Sequence, residues 1–369
     1  MKLRIIPHKL RGCVMPPSSK SLLHRELIAQ ALSGADLPQV TAGDDVARTV
    51  RALGQLLREE RSVIDCGESG STLRFLLPVA MALGRIGTVF TGSPRLLARP
   101  LGWEYGGMEI TRPLTGGVYA VSGQETSQIV SGLLMALPLC GEASEIVLTT
   151  PLVSRPYVEM TRGVLRRYGI VSEEMAQGWH IPGGQRYRTA TMQQEADWSA
   201  GAWFWVLNTL GCEIEIKGLR RDSLQGDRQI CEYCEHLPDT VDVSATPDLL
   251  PPLALLAALQ PGKTTYFTGA AFLRGKESDR LRHTAQILNT LGGCVTEQPD
   301  GLTVMGVASL HGGTVESAGD HRMAMLAGCA AVCCTEPVEL RGAECVAKSY
   351  PDYWKDYVTL RGKIEVMEP

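Results

Sequence analysis

The sequence lacks the features that mark membrane, secreted and nucleic-acid-binding proteins. None of its apolar runs reaches the roughly 20 residues that a membrane-spanning helix needs, so no membrane partner is expected. Its 36 basic and 40 acidic residues leave a formal net charge of -4, which argues against nucleic acid as a partner. Residues 1–9 have the pattern of a strand and lack the apolar core of a signal peptide, so we expect a cytoplasmic protein.

A metal site also lacks ligands. The 11 cysteines lie mostly in apolar runs, which is typical of free buried thiols in a reducing compartment. Cys231 and Cys234 form a CxxC with His236 close behind, but no second CxxC and no HxxxH supplies further ligands. We therefore expect no metal, and we interpret the two cysteines as half-buried helix positions.

What the sequence does contain is one local pattern that occurs six times. A short β-like stretch leads into a turn rich in Gly, Ser and Asp, and a nearly all-apolar helix follows. We predict these helices over residues 20–32, 72–83, 128–139, 198–210, 249–259 and 321–334. Ser, Thr or Asp at each junction is predicted to cap its helix, because the side-chain oxygen accepts free backbone N–H groups. Helices that are apolar all round must be buried.

Amphipathic stretches between these helices predict a second, surface set. They cover residues 44–58, 155–168, 219–237 and 276–291. The result is a β/α repeat with one buried and one surface helix per unit, three units before residue 194 and three after it. Two similar domains follow, with the polar stretch 185–194 as the crossover. One unit is incomplete, because the paired glycines and short length of residues 102–107 predict a loop or a single turn there.

Basic residues accompany the predicted helix N-termini and the turns. They are Lys20, Arg25, Arg74, Arg99, Arg155, Lys276, Arg280, Arg322 and Lys348. Any one of them alone is typical of a solvated surface. Their recurrence in both halves indicates a phosphate or carboxylate ligand, because a helix N-terminus offers free N–H groups and a positive dipole end.

Two carboxylates stand among these bases. Asp248 is predicted to cap a buried helix, and Glu277 lies between Lys276 and Arg280. Each has a structural interpretation, as a helix cap and as an ion-pair partner. Each could also move protons to and from a hydroxyl group and a carbon.

Short motifs along the whole chain resemble one known family. Residues 17–25, Pro-Ser-Ser-Lys-Ser-Leu-Leu-His-Arg, resemble the opening signature of 5-enolpyruvylshikimate-3-phosphate (EPSP) synthases. Further similar motifs lie at residues 67–74, 95–100, 126–128, 154–157, 247–248, 276–280, 320–325 and 347–353. The motifs are collinear and span nearly the whole chain, which is far more specific than any one of them.

The resemblance implies a fold and a reaction. The fold is α/β, a two-domain enolpyruvyl-transferase fold (an inverse α/β barrel) with three βαβαββ repeats per domain around buried helices. The first domain would comprise residues 13–194, shortened near 100–110, and the second residues 1–12 and 195–369. The reaction transfers the enolpyruvyl group of phosphoenolpyruvate to the 5-hydroxyl of shikimate-3-phosphate and releases phosphate. It belongs to the shikimate pathway and needs no cofactor, and we expect a monomer.

The resemblance also implies site residues. Lys20, Asp248 and Glu277 would be catalytic: Asp248 takes the proton of the 5-hydroxyl, and Glu277, helped by Lys20, handles the proton of the phosphoenolpyruvate methylene. Shikimate-3-phosphate would be bound by Lys20, Ser21, Arg25, Thr126, Ser127, Gln128, Ser154, Tyr157, Asp248 and Lys276. Phosphoenolpyruvate would be bound by Lys20, Gly70, Arg99, Gln128, Arg280, Arg322 and Lys348. Gly70 would leave room for glyphosate, which occupies the phosphoenolpyruvate position, so a sensitive enzyme is expected.

The sequence departs from the family at a few positions. Glu68 stands where many relatives carry Asn, and we expect its carboxylate to turn away from the site or to pair with a base. Phe272 replaces a residue that is polar in some relatives. The first domain is shorter around residues 58–62 and after Pro100, which puts the placement of Arg99 in question.

Two alternatives remain at the level of sequence. A UDP-N-acetylglucosamine enolpyruvyl transferase shares the fold, but it usually has Lys-Asn where this chain has Lys20-Ser21. It also usually has a reactive Cys in a segment that here, from residue 99 to 125, contains none. A phosphate-ligand-binding homologue that has lost activity is supported only by the shortened first domain and by Glu68, while the full set of mechanistic residues is present.

Overall fold

The computed structural model describes residues 1–38, 43–102, 104, 107–124 and 126–367, and the chain divides into two compact units. Unit 1 comprises Met1–Pro17 and Glu195–Pro369, and unit 2 comprises Ser18–Gln194. The domain boundaries given above stay a prediction.

Helices and strands alternate along the described parts of the chain. The strands are β1 (Lys2–Ile6), β2 (Arg11–Val14), β3 (Val63–Asp65), β4 (Val89–Thr91), β5 (Gly117–Val121), β6 (Ser144–Leu148), β7 (Glu173–Met175), β8 (Gly178–Ile181), β9 (Glu213–Ile216), β10 (Thr240–Asp242), β11 (Thr264–Thr268), β12 (Cys294–Gln298), β13 (Gly301–Met305), β14 (Gly313–Glu316), β15 (Val338–Arg341) and β16 (Lys363–Met367). The α-helices are α1 (Lys20–Leu32), α2 (Asp44–Arg58), α3 (Gly70–Ala82), α4 (Pro94–Leu97), α5 (Ser127–Ala136), α6 (Arg155–Arg167), α7 (Trp198–Thr209), α8 (Ile230–Glu235), α9 (Leu250–Ala258), α10 (Arg280–Thr290), α11 (His321–Cys333) and α12 (Tyr353–Thr359). Short 3-10 helices lie at Leu137–Leu139, Gly226–Gln229, Pro247–Leu249, Ala271–Gly275 and Ala343–Lys348.

The six predicted buried helices are confirmed as α1, α3, α5, α7, α9 and α11. They form the apolar cores, α1, α3 and α5 in unit 2 and α7, α9 and α11 in unit 1. Five of the predicted caps are confirmed, because each side chain accepts a backbone N–H of its own first turn: Ser19, Ser69, Thr126, Asp197 and Asp320.

The predicted cap at Asp248 is wrong. The chain enters α9 through the 3-10 helix Pro247–Leu249, whose N-cap is Thr246, so Asp248 already lies inside the first turn. Its carboxylate contacts the side chains of Arg280 and Arg322.

The surface helices are only partly as predicted. Helices α2 and α6 confirm the predicted stretches, and α10 begins at Arg280 because the Asp279 carboxylate caps it there. The prediction of one helix over residues 219–237 is wrong, and only the 3-10 helix Gly226–Gln229 and α8 form. Residues 219–225 are not helical, because the Gln225 side chain bonds to the backbone at Ala196 and Trp198 and holds this segment outside a helix.

The sheets belong to separate units. Unit 1 contains the sheet β14-β15-β1-β16, the sheet β10-β11-β13-β12 and the parallel pair β2-β9. In register, Leu3 of β1 lies between Leu340 and Val366. Unit 2 contains the sheet β5-β6-β8-β7 and the parallel pair β3-β4.

The unit that the sequence predicts to be incomplete follows α3. Its only α-helix in the described residues is the single turn α4, and Gly102, Glu104 and Gly107 lie in no helix or strand, which confirms the prediction there. The remaining residues of that predicted loop, Trp103, Tyr105 and Gly106, lie outside the described residues. Within the described part of the chain, no helix has both the length and the apolar composition required to cross a membrane.

Candidate active site

Lys20 begins α1 and is held by a carboxylate that the sequence reasoning missed. Its Nζ lies 3.1 Å from Oδ2 of Asp45, whose side chain is buried in the first turn of α2. The ion pair fixes the ammonium group at the helix N-terminus. The available signal was the pair Asp44 and Asp45, which opens a helix whose other face is apolar.

A chain of hydroxyl groups supports this corner of unit 2. Nδ1 of His24 lies 2.8 Å from Oγ1 of Thr49, which lies 2.7 Å from Oγ1 of Thr72. The Thr72 hydroxyl in turn donates to Oγ of Ser69, the cap of α3, at 2.7 Å. Burial lowers the pKa of His24 to about 3, so the imidazole is neutral and links α1 to α2 without adding charge.

Gly70 lies where side chains from three elements converge. A Cβ added to Gly70 would lie 2.6 Å from Nη1 of Arg74, 3.2 Å from Oε1 of Gln128 and 3.7 Å from Nη1 of Arg99. Arg74 donates from Nη1 to Gln128 Oε1 at 3.0 Å, and Gln128 donates from Nε2 to Ser71 Oγ at 3.1 Å. The structure therefore brings Gly70, Arg99 and Gln128 together despite the shortened segment. It adds Arg74, a base noted in the sequence but given no role.

Arg25 is committed largely to the protein. Its guanidinium is buried and donates to the Thr161 hydroxyl, the Ser21 carbonyl, the Ser131 hydroxyl and the Tyr157 carbonyl. A guanidinium has five N–H groups, so these bonds leave one for a ligand. Arg25 therefore fixes the start of α6, where Tyr157 lies.

The remaining hydroxyl residues lie at helix starts in unit 2. Thr126 caps α5, Ser127 is its first residue, and Ser21 is the second residue of α1. Ser154 precedes α6 in the left-handed region, at φ 56°, and its side chain accepts no capping hydrogen bond from the backbone. A non-glycine residue held in that conformation is strained, which is a frequent feature of ligand-binding turns.

In unit 1, Arg280 binds three carboxylates at once. Its Nη1 lies 2.8 Å from Oδ1 of Asp248, its Nη2 2.7 Å from Oε2 of Glu277, and its Nε 2.9 Å from Oδ2 of Asp320. The guanidinium is 3% exposed and Asp320 is fully buried, so the cluster is shielded from water. Asp320 also caps α11 and accepts a bond from Ser278, which ties the turn of residues 276–280 to that helix.

Two further bases complete the cluster. Nη2 of Arg322 lies 2.6 Å from Oδ2 of Asp248, and Nζ of Lys348 lies 3.5 Å from Oε1 of Glu277. Burial acts to raise the pKa of Asp248, but the charges of Arg322, Arg280 and Lys276 outweigh it and hold that pKa well below its usual range. Asp248 thus contacts Arg280 and Arg322, and Glu277 contacts Arg280 and Lys348. These three bases are among those expected to bind phosphoenolpyruvate.

Lys276 lies beside Phe272, one of the residues that depart from the family. Its Nζ lies 5.3 Å from the centre of the Phe272 ring, within the range of a cation–π contact. Phe272 thus contacts Lys276 at the position where some relatives carry a polar residue. Glu68 is half-buried in the turn before α3, and its expected avoidance of the site stays a prediction.

The CxxC motif lies on a short helix. Cys231 and Cys234 lie half-buried on α8, as predicted, and burial raises the pKa of both thiols. No group of three His, Cys, Asp or Glu side chains among the described residues is arranged to hold a metal ion.

Comparison with known proteins decides the family. A model of the EPSP synthase family (3-phosphoshikimate 1-carboxyvinyltransferase) matches residues 34–237 and 232–357. A 3-phosphoshikimate 1-carboxyvinyltransferase of Clostridium kluyveri is 38% identical, over 98% of this chain and 97% of its own. That of Clostridium acetobutylicum is 35% identical, over 98% of both chains. The chain belongs to the EPSP synthase family.

A solved structure supports the fold separately. EPSP synthase from Acinetobacter baumannii superposes with a TM-score of 0.78 over the whole of both chains, at 22% identity. The alignment to the Clostridium kluyveri relative runs over 417 positions although this chain has 369 residues, so the relative carries segments that this chain lacks.

Membership in the EPSP synthase family confirms the fold class and the enzyme class expected from the sequence. The substrates of the family are shikimate-3-phosphate and phosphoenolpyruvate. The chain is thus a carboxyvinyltransferase of the shikimate pathway, and the two alternative interpretations lose their support.

Proposed function

We propose that the residues implied by the resemblance to the family bind the two substrates and carry the reaction. Shikimate-3-phosphate is held by Lys20, Ser21, Arg25, Thr126, Ser127, Gln128, Ser154, Tyr157, Asp248 and Lys276. Phosphoenolpyruvate is held by Lys20, Gly70, Arg99, Gln128, Arg280, Arg322 and Lys348. The observation that carries the proposal is the Arg280 cluster, in which the two proton carriers, Asp248 and Glu277, are bound to the same guanidinium.

The cluster explains how Asp248 becomes a base when substrate arrives. In the unliganded protein two arginines neutralise its carboxylate, so its pKa is too low for it to take a proton from a hydroxyl group. The carboxylate of phosphoenolpyruvate competes for the same Arg280 and Arg322. Sharing these cations leaves Asp248 with less positive charge nearby and raises its pKa. Substrate binding therefore activates the base.

The proposed steps balance in protons. Asp248 takes the proton of the 5-hydroxyl as that oxygen adds to C2 of phosphoenolpyruvate. Glu277, which enters this step in its protonated form, protonates C3 with the help of Lys20. The tetrahedral intermediate then returns a proton from C3 to Glu277, while the bond between C2 and the phosphate oxygen breaks. The proton held by Asp248 leaves with the phosphate. Lys20, fixed by Asp45, offsets the negative charge that phosphate carries throughout.

We further propose a cytoplasmic monomer that is sensitive to glyphosate. The free, high-pKa cysteines agree with a reducing compartment. Light scattering of the purified protein checks the oligomeric state.

The test of the function is phosphate release from shikimate-3-phosphate and phosphoenolpyruvate together. Release that requires both compounds supports the proposal. Omission of either substrate, and replacement of shikimate-3-phosphate by UDP-N-acetylglucosamine, are the controls. Release with the nucleotide sugar, or binding of both substrates without release, would contradict it.

A substitution at Gly70 tests the phosphoenolpyruvate side. In Gly70→Ala the methyl group would lie 2.6 Å from Nη1 of Arg74, which cannot yield easily because its bonds to Gln128 and to the Pro100 carbonyl hold it. We expect KM for phosphoenolpyruvate to rise about tenfold with a smaller change in kcat, because a displaced binding group weakens the complex. Inhibition by glyphosate should weaken as well.

The matched control for Gly70→Ala is Gly54→Ala on α2, where nothing lies within 4 Å of an added Cβ. Steady-state kinetics of both variants make the comparison. Unchanged KM in Gly70→Ala would show that the ligand does not approach this backbone.

A further inference from the structure

Four polar side chains in unit 2, to which the reaction above gives no role, form one continuous chain of hydrogen bonds. They are His24 on α1, Thr49 on α2, Thr72 on α3 and Ser69, the cap of α3. All four are 0% exposed, so bulk water does not reach them. A buried polar group is costly unless it is hydrogen-bonded, so each proton of this chain needs an acceptor within it.

The Thr72 hydroxyl fixes the direction of the chain. Its single proton goes to Oγ of Ser69 at 2.7 Å or to the carbonyl oxygen of Asp45 at 3.3 Å. The Thr49 hydroxyl, 2.7 Å away, therefore donates to Thr72. Because Thr49 has then used its only side-chain proton, its 2.8 Å contact with Nδ1 of His24 is a bond that the imidazole donates.

This direction sets the tautomer of His24. The imidazole is neutral, because burial lowers its pKa to about 3, and so only one of its two ring nitrogens carries a proton. That nitrogen is Nδ1. Nε2 is buried and has no hydrogen-bond partner among the described residues, so a proton on Nε2 would have no acceptor.

The chain supports the helix starts that carry proposed ligands of phosphoenolpyruvate. Lys20 begins α1, one turn before His24, and Gly70 begins α3 directly after its cap. Asp45, whose Oδ2 lies 3.1 Å from Nζ of Lys20, is in the first turn of α2. Gly43 at the N-cap of α2 has no side chain to hold that turn, whereas the Thr72 hydroxyl contacts its Asp45 carbonyl.

We propose that His24 is a positioning residue for phosphoenolpyruvate binding, whose Nδ1–H starts a one-way hydroxyl chain that fixes the first turns of α1, α2 and α3 relative to one another. His24 itself touches no substrate and acts through Thr49 and Thr72. Apolar packing alone would hold the three helices together, but hydrogen bonds also specify their relative position. The inference rests on the proposed binding roles of Lys20 and Gly70.

Two substitutions of His24 separate the position of the donor from the size of the side chain. In His24→Asn the amide nitrogen is bonded to Cγ, as Nδ1 is, so it can still donate to Thr49. In His24→Gln the side chain is larger, but its amide nitrogen takes the place of Nε2. We expect KM for phosphoenolpyruvate to stay within about threefold of the parent in His24→Asn and to rise about tenfold in His24→Gln. A role in packing alone predicts the reverse order, because His24→Asn leaves the larger cavity.

Thr49→Val and Thr49→Ser form a second, independent pair. Val keeps the shape of Thr but interrupts the chain in its middle, so KM for phosphoenolpyruvate should rise about tenfold, as in His24→Gln. Ser restores the hydroxyl group, and KM should return to within about threefold of the parent. Thermal unfolding establishes that each variant is folded, and the Thr49 pair serves if the His24 variants are not.

Nuclear magnetic resonance detects the tautomer directly in the unliganded protein. With ¹⁵N-labelled histidine, long-range proton–nitrogen spectra distinguish a protonated Nδ1 from a protonated Nε2. The signals of His24 are those that disappear in His24→Asn. At neutral pH we expect the proton on Nδ1, and a proton on Nε2 would overturn the proposal.

The kinetic outcomes separate this inference from the reaction itself. Equal KM values for phosphoenolpyruvate within each pair would overturn the role of His24 and leave the proposed function intact. A parent protein that releases no phosphate would contradict the proposed function. The Kd of phosphoenolpyruvate, measured by calorimetry with shikimate-3-phosphate present, then replaces KM in the same comparison. Absence of binding in the parent would overturn the role of His24 as well.

Discussion

Asp248→Asn is expected to lower kcat for phosphate release by about a thousandfold, within the range that a positioned general base contributes. The amide keeps the shape of the carboxylate and can still accept a hydrogen bond, but it cannot take the proton of the 5-hydroxyl. KM for phosphoenolpyruvate should stay the same or fall, since Arg280 and Arg322 lose an internal competitor for their charge. A single-turnover measurement of phosphate release, alongside steady-state rates, separates the two effects.

The control is Asp222→Asn, an exposed carboxylate of the same unit that should keep parental kcat. Circular dichroism and thermal unfolding of both variants establish that they are folded. Loss of less than about tenfold in kcat would show that another group takes the proton, because a base of this kind contributes at least a hundredfold.

The helices that carry the site could be predicted from the sequence. A run of apolar residues after a Ser, Thr or Asp is a local signal, and both burial and capping follow from it. Helices α1 and α2 accordingly have the predicted limits. The prediction failed where a side chain bonds across the fold. Gln225 prevents a helix over residues 219–225, and the arginines that bind Asp248 remove it from its predicted capping role.

The contacts between site residues could not be predicted from the sequence for the same reason. No local sequence pattern predicts that Asp45 contacts Lys20, that Arg74 contacts Gln128, or that Arg280 contacts Asp320. Each pair joins the N-terminal turns of two helices, and which turns meet is decided by packing within a unit. The resemblance to a family gave the site residues themselves, but it gave no account of their mutual contacts.

Removing Arg280 is expected to have the largest effect on stability. Arg280→Ala leaves Asp248, Glu277 and Asp320 clustered without their common cation, and Asp320 is fully buried. Breaking a buried ion pair by deleting one partner costs about 3–5 kcal/mol, because a buried charge remains uncompensated. Phosphate release should fall below detection, since the variant also loses a proposed ligand of phosphoenolpyruvate.

The dependence on pH identifies the cause. In the parent, burial acts to raise the pKa values of Asp248 and Asp320, but neighbouring positive charges, Arg280 among them, lower both below the usual 3.8. Their stabilising effect is therefore fully present above about pH 5 and is lost only as the pH falls through the lowered values. In Arg280→Ala the pKa values rise instead, and the carboxyl groups relieve the strain by taking protons. The difference in unfolding free energy should thus be largest near pH 8 and shrink toward pH 5.

Urea unfolding followed by tryptophan fluorescence measures this difference, because unit 1 carries the buried Trp198 and Trp203 in α7. Arg282→Ala is the matched control: it removes an exposed arginine from the same helix, with only a 4.0 Å contact to Asp279. It should cost less than about 1 kcal/mol at either pH, as surface ion pairs do. The decrease in unfolding free energy caused by Arg280→Ala could instead be the same at every pH. That result would mean that packing of the long side chain, and not its charge, holds α9, α10 and α11 together at their N-termini.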